Sequence, residues 1–210
     1  MTHRRLSAAL PTARLLCGTT VALALGSALT TLWPVPASAA PASYQIDPNH
    51  TFPSFEADHM GISVWRGKMT KSSGTLQFDK ADGSGTVHIV IDPASIDFGQ
   101  TQLNKWAQGK DFFAVRKYPK AHYSGRFDAV VNGTPTRLQG ELTLHGVTRP
   151  LTLTIHSLKC VPHPMLKREL CGADASATFN RADFGLDAGK DYGFNMDVAL
   201  RIQVEAIATP

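Results

Sequence analysis

The sequence predicts an all-β domain of about eight antiparallel strands, rolled into a barrel or stacked as a sandwich, with one short helix as a lid. Three observations predict it. Apolar and polar residues alternate with period two through most of residues 44–205, turn-forming clusters separate the alternating runs, and only one stretch has helical spacing. Closure into a barrel is favoured because it removes the unpaired edges that long alternating strands would otherwise present.

Taken in order, the first strands fall at Tyr44 to Asp47, Thr51 to Asp58, Val64 to Thr70 and Gly74 to Phe78. After the turn cluster Asp82-Gly83-Ser84-Gly85, the residues Val87, Ile89 and Ile91 alternate with Thr86, His88 and Val90. In "TQLNKWAQGKDFF", Leu103, Trp106 and Ala107 stand at i, i+3 and i+4, with Thr101 placed to cap the start and Gly109 to end the helix. A single apolar stripe suits a helix lying across one end of a barrel. A strand over His122 to Val131 leads through Asn132-Gly133 into Leu138, Leu142 and Leu144, which alternate with polar residues. His145-Gly146 then turns the chain into Leu151, Leu153 and Ile155. The last two strands are Ala173 to Asn180 and the run Val198, Leu200, Ile202, Val204, with Gly185 to Gly189 between them.

Residues 1–39 differ from the rest. Arg4, Arg5 and Arg14 precede an uncharged apolar run from Leu15 to Leu32, and Ala37-Ser38-Ala39 follows two prolines. This pattern predicts an export segment cut before Ala40, leaving one barrel domain over residues 40–210 in the periplasm or outside the cell. The charge balance changes with it. The chain has 21 Lys+Arg and 17 Asp+Glu; the segment holds three arginines and no acid, leaving 18 against 17. A near-neutral domain has no net basic face for nucleic acid. Cys160 and Cys171 are the cysteines that remain, and in an oxidising compartment they predict a disulfide.

The usual signatures of catalysis are missing: no nucleophile elbow, no zinc-protease helix, no phosphate loop and no dinucleotide fingerprint. His50, His59, His88, His122, His145, His156 and His163 are scattered singly, so no metal site is predicted, although ligands on separate strands could converge. His145 sits where alternation stops, and its expected work is to close the corner of a hairpin. The aromatic residues Phe52, Phe55, Trp65, Phe78, Phe98, Trp106, Phe112, Phe113, Tyr123 and Phe127 concentrate around the predicted lid and its flanking strands. An eight-stranded barrel is either filled by such side chains or left open for one small ligand, and the pattern suits both.

Several strings together resemble the YceI-like family of polyisoprenoid-binding proteins. They are "YQIDPNHTFPSFEADHMGIS", "VIDPASIDFG", "DFFAVRKYPKAHY", "GELTLHGVTRPLTL" and "FNRADFGL". The family pattern falls on His50, Phe55 and His59, on Ser95 to Asp97, on Phe112, Phe113 and Pro119, on His145, Gly146 and Pro150, and on Arg181, Asp183, Phe184 and Gly185. Thr51 stands where the family has serine, Pro53 where it has an aliphatic residue, Phe98 where threonine is common, and Asn104-Lys105-Trp106 where a polar Arg-Asp pair is frequent.

The resemblance implies an extended eight-stranded antiparallel lipocalin-like barrel, periplasmic and without catalysis or cofactor, that holds an isoprenoid or quinone-like lipid and touches the membrane transiently. The ten aromatics above are then expected to line the lipid site. His50, His59, Lys105 and Arg116 are expected near a headgroup, with Lys110, Lys117 and Lys120 as further cations for a diphosphate. Two other readings stay open: a metal- or haem-associated enzyme using converging histidines, and a packed barrel acting by surface recognition.

Overall fold

The computed structural model describes residues 41–210; the export segment expected over residues 1–39 lies outside the described residues. Among the described residues eleven strands are present: β1 (Ala42–Ile46), β2 (Phe52–His59), β3 (Ser63–Met69), β4 (Ser72–Phe78), β5 (Gly85–Ile91), β6 (Ile96–Asp97), β7 (Ala121–Val131), β8 (Thr134–Leu144), β9 (Val147–Pro162), β10 (Glu169–Asn180) and β11 (Asp197–Ala208). The helix α1 spans Thr101–Gln108 between β6 and β7.

Eleven strands make eight staves. β1 and β2 both lie along β11, at its C-terminal and N-terminal halves respectively. β4 pairs with β1 while β3 pairs with β2, and β5 pairs with β4 while β6 pairs with β3. Each of these three pairs is therefore one long strand broken in the middle. With β7 to β11 they form an eight-stranded antiparallel meander, closed by contact between its last stave and its first.

Each break shifts the inward-facing set by one residue. Tyr44 and Ile46 face inward before the first break, and Pro53, Phe55 and Ala57 after it. Trp65 and Met69 are followed by Leu76, and Val87, Ile89 and Ile91 by Ile96. Because strand side chains alternate, an uninterrupted strand would have turned half of these residues to solvent. The first break is fastened by Thr51, which is fully buried. Its hydroxyl donates to Glu205 O at 3.2 Å and accepts from Glu205 N at 3.1 Å, replacing the ladder bonds that the kink removes. Ser72 Oγ donates to Thr51 O at 3.1 Å, tying the second break to the first.

One end of the barrel is closed. Tyr44, Phe78, Leu76, Ile46, Cys171 and Ala206 form a compact cluster there, and the Phe78 ring meets Phe127 edge-on at 5.5 Å. The Tyr44 hydroxyl donates to Glu169 Oε1 at 2.6 Å, and Lys80 Nζ donates to Glu169 Oε2 at 2.6 Å. Burial and the adjoining Glu169 carboxylate both raise the Tyr44 pKa, so the hydroxyl stays a donor. Cys160 and Cys171 are direct cross-strand partners on β9 and β10, with Cα atoms 4.0 Å apart, and form the disulfide.

At the other end, β7 begins opposite Ile91, so β6 runs on without a strand partner on that side. There α1 covers the gap, anchored by the fully buried Ala107. Asn104 Nδ2 donates to Asp97 Oδ1 at 3.0 Å, Phe98 N donates to Asn104 Oδ1 at 2.8 Å, and Gln108 Nε2 donates to Ala94 O at 2.8 Å. The Asn104 amide thus ties the lid helix to the barrel rim. The helix cap differs from the expected one: the side chain of Gln100, one residue earlier than Thr101, accepts from Leu103 N. Gly109 ends the helix with extended backbone, φ −66°, rather than a left-handed turn.

The β8–β9 turn answers to local geometry. His145 and Gly146 both have positive φ, 52° and 77°, as a two-residue hairpin of matching twist requires. The His145 ring bonds Phe184 O through Nδ1 at 3.0 Å and meets Tyr118 edge-on at 4.4 Å. It joins the hairpin to the loop after β10 and to the segment after α1.

In the middle of the wall, the Tyr123 hydroxyl donates to two backbone carbonyls, Leu138 O at 3.2 Å and Leu151 O at 3.0 Å. Gly140 makes room for it, since a Cβ there would stand 2.7 Å from the hydroxyl oxygen and 2.3 Å from Ser124 O. Tyr123→Phe is expected to cost about 1–2 kcal/mol and lower Tm by a few degrees, because the phenol leaves two buried acceptors without this donor. An unchanged melting curve would show that the bond contributes nothing.

Candidate functional site

Inside the staves runs a cavity of about 290 Å³. It extends from Ile46, Leu158, Val204 and Ala206 near the closed end to Asp58, Trp65, Trp106 and Phe194 at the other. Along β11 it is walled by Val198, Leu200, Ile202, Val204 and Ala206. Eight residues of strand at about 3.3 Å each, tilted as barrel strands are, give a bore roughly 20 Å long. The mid-wall residues Phe55, Ile89, Leu200 and Ile202 face this bore and remain only half-buried. Packed against one another they would be sealed; they face a void instead.

The bore opens beside α1. Trp106 is the exposed side chain among its lining residues, with 48% of its surface accessible. Aromatic contacts run around that mouth. Phe194 meets His59 at 5.0 Å, His59 stacks on Trp65 at 4.1 Å, and Trp65 meets Phe98 at 6.3 Å. Across the gap, Trp106 stacks on Phe112 at 5.0 Å. Such rings present broad apolar faces with few conformers to lose, which suits a gate that must close on a flexible chain.

Two charged side chains reach the lining, Asp58 and Arg181. Asp58 is tied locally, both carboxylate oxygens accepting from Gly61 N at 3.1 and 3.0 Å. Arg181, in the short helical turn after β10, is only 8% exposed. Its guanidinium donates to Leu186 O and, at 2.7 Å, to Ala188 O, and lies 5.7 Å over the Phe112 ring. Burial lowers its pKa, and the Asp187 charge opposes that shift.

Of the ten aromatics expected at the site, Phe55, Trp65, Phe98, Trp106, Phe112, Phe113, Tyr123 and Phe127 line the bore. Phe52 does not: its neighbour Pro53 faces inward, so Phe52 faces out, beneath Lys68 Nζ at 5.1 Å. Phe78 faces inward but lies beyond the bore, in the closed-end cluster. His59 belongs to the mouth through its stack on Trp65. His50 sits on the outer wall at the first strand break, bonded through Nδ1 to Asp47 Oδ2 at 2.7 Å, with Glu205 Oε2 at 3.9 Å. Lys105 and Arg116 are solvent-exposed around the lid and do not line the bore. None of the histidines among the described residues lines it either. Asp58, Phe194 and Arg181 were not anticipated as lining residues. Only the matched motif around Arg181 pointed there; nothing in periodicity singles out a residue in an irregular turn.

Comparisons with known proteins agree with this geometry. A family model described as the YceI-like domain matches residues 44–206. A UPF0312 protein of Pseudomonas aeruginosa is 33% identical over 193 residues, covering 90% of this chain and 97% of that one. A Campylobacter jejuni YCEI protein of known crystal structure shares the fold, with TM-score 0.61 and 23% identity over 73% of this chain and 90% of that chain. A polyisoprenoid binding domain from Saccharophagus degradans, implicated in plant cell wall breakdown, superposes with TM-score 0.57 and 16% identity over 80% of this chain and 99% of that one.

Proposed function

Since the chain belongs to the YceI-like family, we propose that it is a non-catalytic carrier or scavenger of a long isoprenoid lipid, a polyprenyl diphosphate or an isoprenoid quinone, working in the periplasm. One observation carries the reading: a continuous apolar bore, closed at one end and gated by aromatic rings at the other. The hollow interior speaks against a packed barrel that acts by surface recognition. The absence of histidines from its lining removes the support for a haem or metal enzyme built inside it.

The physics of such a carrier is exchange. A chain of some 40 carbons at ~0.8 kcal/mol per buried methylene exceeds the ceiling of about 18–21 kcal/mol for non-covalent binding, so water is the wrong reference state. A membrane already buries the tail, and the bore need only match it while ordering costs are offset. Exchange then requires the mouth to approach a bilayer. The lid side suits this: Trp106 is exposed there, and Lys105, Arg116 and Lys117 make no ion pairs among the described residues.

Solvent extraction and mass spectrometry of protein purified from its own compartment should yield an isoprenoid lipid at near-stoichiometric amount. Protein that is repeatedly empty and also refuses added isoprenoid lipid would refute the reading. Trp106→Ala should lower lipid retention several-fold, measured as lipid per protein after dilution, with little change in Tm because the ring is half exposed. Unchanged retention would take the lid out of the mechanism.

A further inference from the structure

The lining of the bore holds a buried guanidinium. Arg181 is buried, and among the described residues it has no ion-pair partner. A guanidinium has five N–H donors; Arg181 uses two, on Leu186 O and Ala188 O, leaving three without a protein acceptor. Among the described residues no buried side-chain nitrogen or oxygen lacks a partner, so Arg181 Nε, which has none, keeps some accessible surface. The side chain lines the bore, which gives it open space on that side. Burying an unpaired charge is costly, and a fold that needed only to bind two carbonyls could have used a neutral donor.

From this geometry we infer that Arg181, with the Phe112 ring beside it and Trp106 stacked on that ring, forms a binding site for the anionic phosphate headgroup of the lipid in the bore. The inference rests on the carrier reading and names its ligand class. A guanidinium presents paired donors that match phosphate oxygens, and the bond strengthens where water is excluded. The nearby acids leave the site open. Asp58 is held by Gly61 N, and Asp187 is exposed and makes no ion pair with Arg181. Lys105 on the lid helix and Arg116 in the segment after it are exposed and do not line the bore.

The test compares a C20 isoprenyl monophosphate with the C20 isoprenyl alcohol on lipid-stripped full-length domain. The tail is common to both, so the ratio of dissociation constants reports the headgroup alone. We expect the phosphate to bind at least about tenfold tighter. Arg181→Gln should reduce the ratio below about twofold, and Arg181→Lys should restore part of it. Equal affinity of the two ligands for the wild-type protein overturns the inference and leaves the carrier reading standing, whereas failure of both ligands to bind overturns the two together. A ratio that survives in a folded Arg181→Gln also overturns it. If that variant melts far below the wild type, the wild-type ratio and the Arg181→Lys ratio decide. Inorganic diphosphate alone, titrated to 1 mM by calorimetry, should give no Arg181-dependent heat; tight binding would mean a site for free phosphate instead of a lipid headgroup.

Discussion

Ala175→Trp should empty the barrel. Ala175 lies on β10 between Ile155 and Ile202, faces inward and lines the bore midway along its length. Its methyl group leaves the passage open; an indole in its place would cross it. Overpacking a filled core costs typically 1–3 kcal/mol, but here the added ring enters a void, so the fold should tolerate it at the lower end of that range. Lipid recovered per protein is expected to fall at least about tenfold, with far-ultraviolet circular dichroism unchanged. Thr178→Trp is the matched control. Three residues further along β10 it faces solvent, so the same bulk should leave retention intact. Full occupancy in Ala175→Trp would mean that lipid binds elsewhere than in the bore.

Removing the disulfide should have the largest effect on stability. Cys160 and Cys171 are 11 residues apart in sequence, and the chain-entropy relation for a loop of that size gives about 3 kcal/mol. For a domain of this length, Tm should fall by roughly 6–12 °C in the double variant Cys160→Ala/Cys171→Ala. Cys171 is buried at the closed end, so the lost sulfur adds a small cavity to the entropic loss. Reduction of the wild-type protein with excess dithiothreitol should lower Tm in the same direction. A melting temperature indifferent to both treatments would mean that the β9–β10 ladder alone holds this hairpin. Because the bridge lies at the end away from the mouth, lipid retention below Tm should hardly change, which separates this effect from that of Ala175→Trp.

Most of the wall was legible because strand periodicity is local. The alternation of Leu138, Leu142 and Leu144, of Leu151, Leu153 and Ile155, and of Val198 to Val204 marks inward faces without knowledge of any neighbour, and the structure turns those residues to the bore. The strand breaks were harder to read. Nothing local distinguishes a strand that ends from one that kinks and resumes with its inward face shifted, and only pairing along β11 shows β1 and β2 to be one stave. The bulge at the Asp174–Ala175 step, opposite His156 on β9, is of the same kind: it moves the inward set from Leu151, Leu153 and Ile155 to Leu158.

Aromatic composition identified eight of the bore's lining residues but also drew in Phe52 and Phe78. Residue type alone does not tell the inner face from the outer, or the bore from the plug beneath it. The headgroup candidates diverged further from the bore for a related reason. Long cations such as Lys105 and Arg116 stand out in a sequence because their neighbours are polar, which is also why they are solvated in the fold. Arg181 lies in a turn, and only the packing of Phe112 and Leu186 around it makes it buried.

By itself, then, the sequence determined an all-β chain with one lid helix, a pair of cysteines placed to bridge, and inward faces rich in aliphatic and aromatic residues, because each of these is set by spacing along the chain. Tertiary structure alone decided that those faces stand apart instead of meeting, and that the Arg181 side chain is buried against the bore. Whether opposing walls touch depends on barrel radius, strand breaks and the sizes of residues far apart in sequence, such as Ala175 and Phe55, which no local pattern brings together.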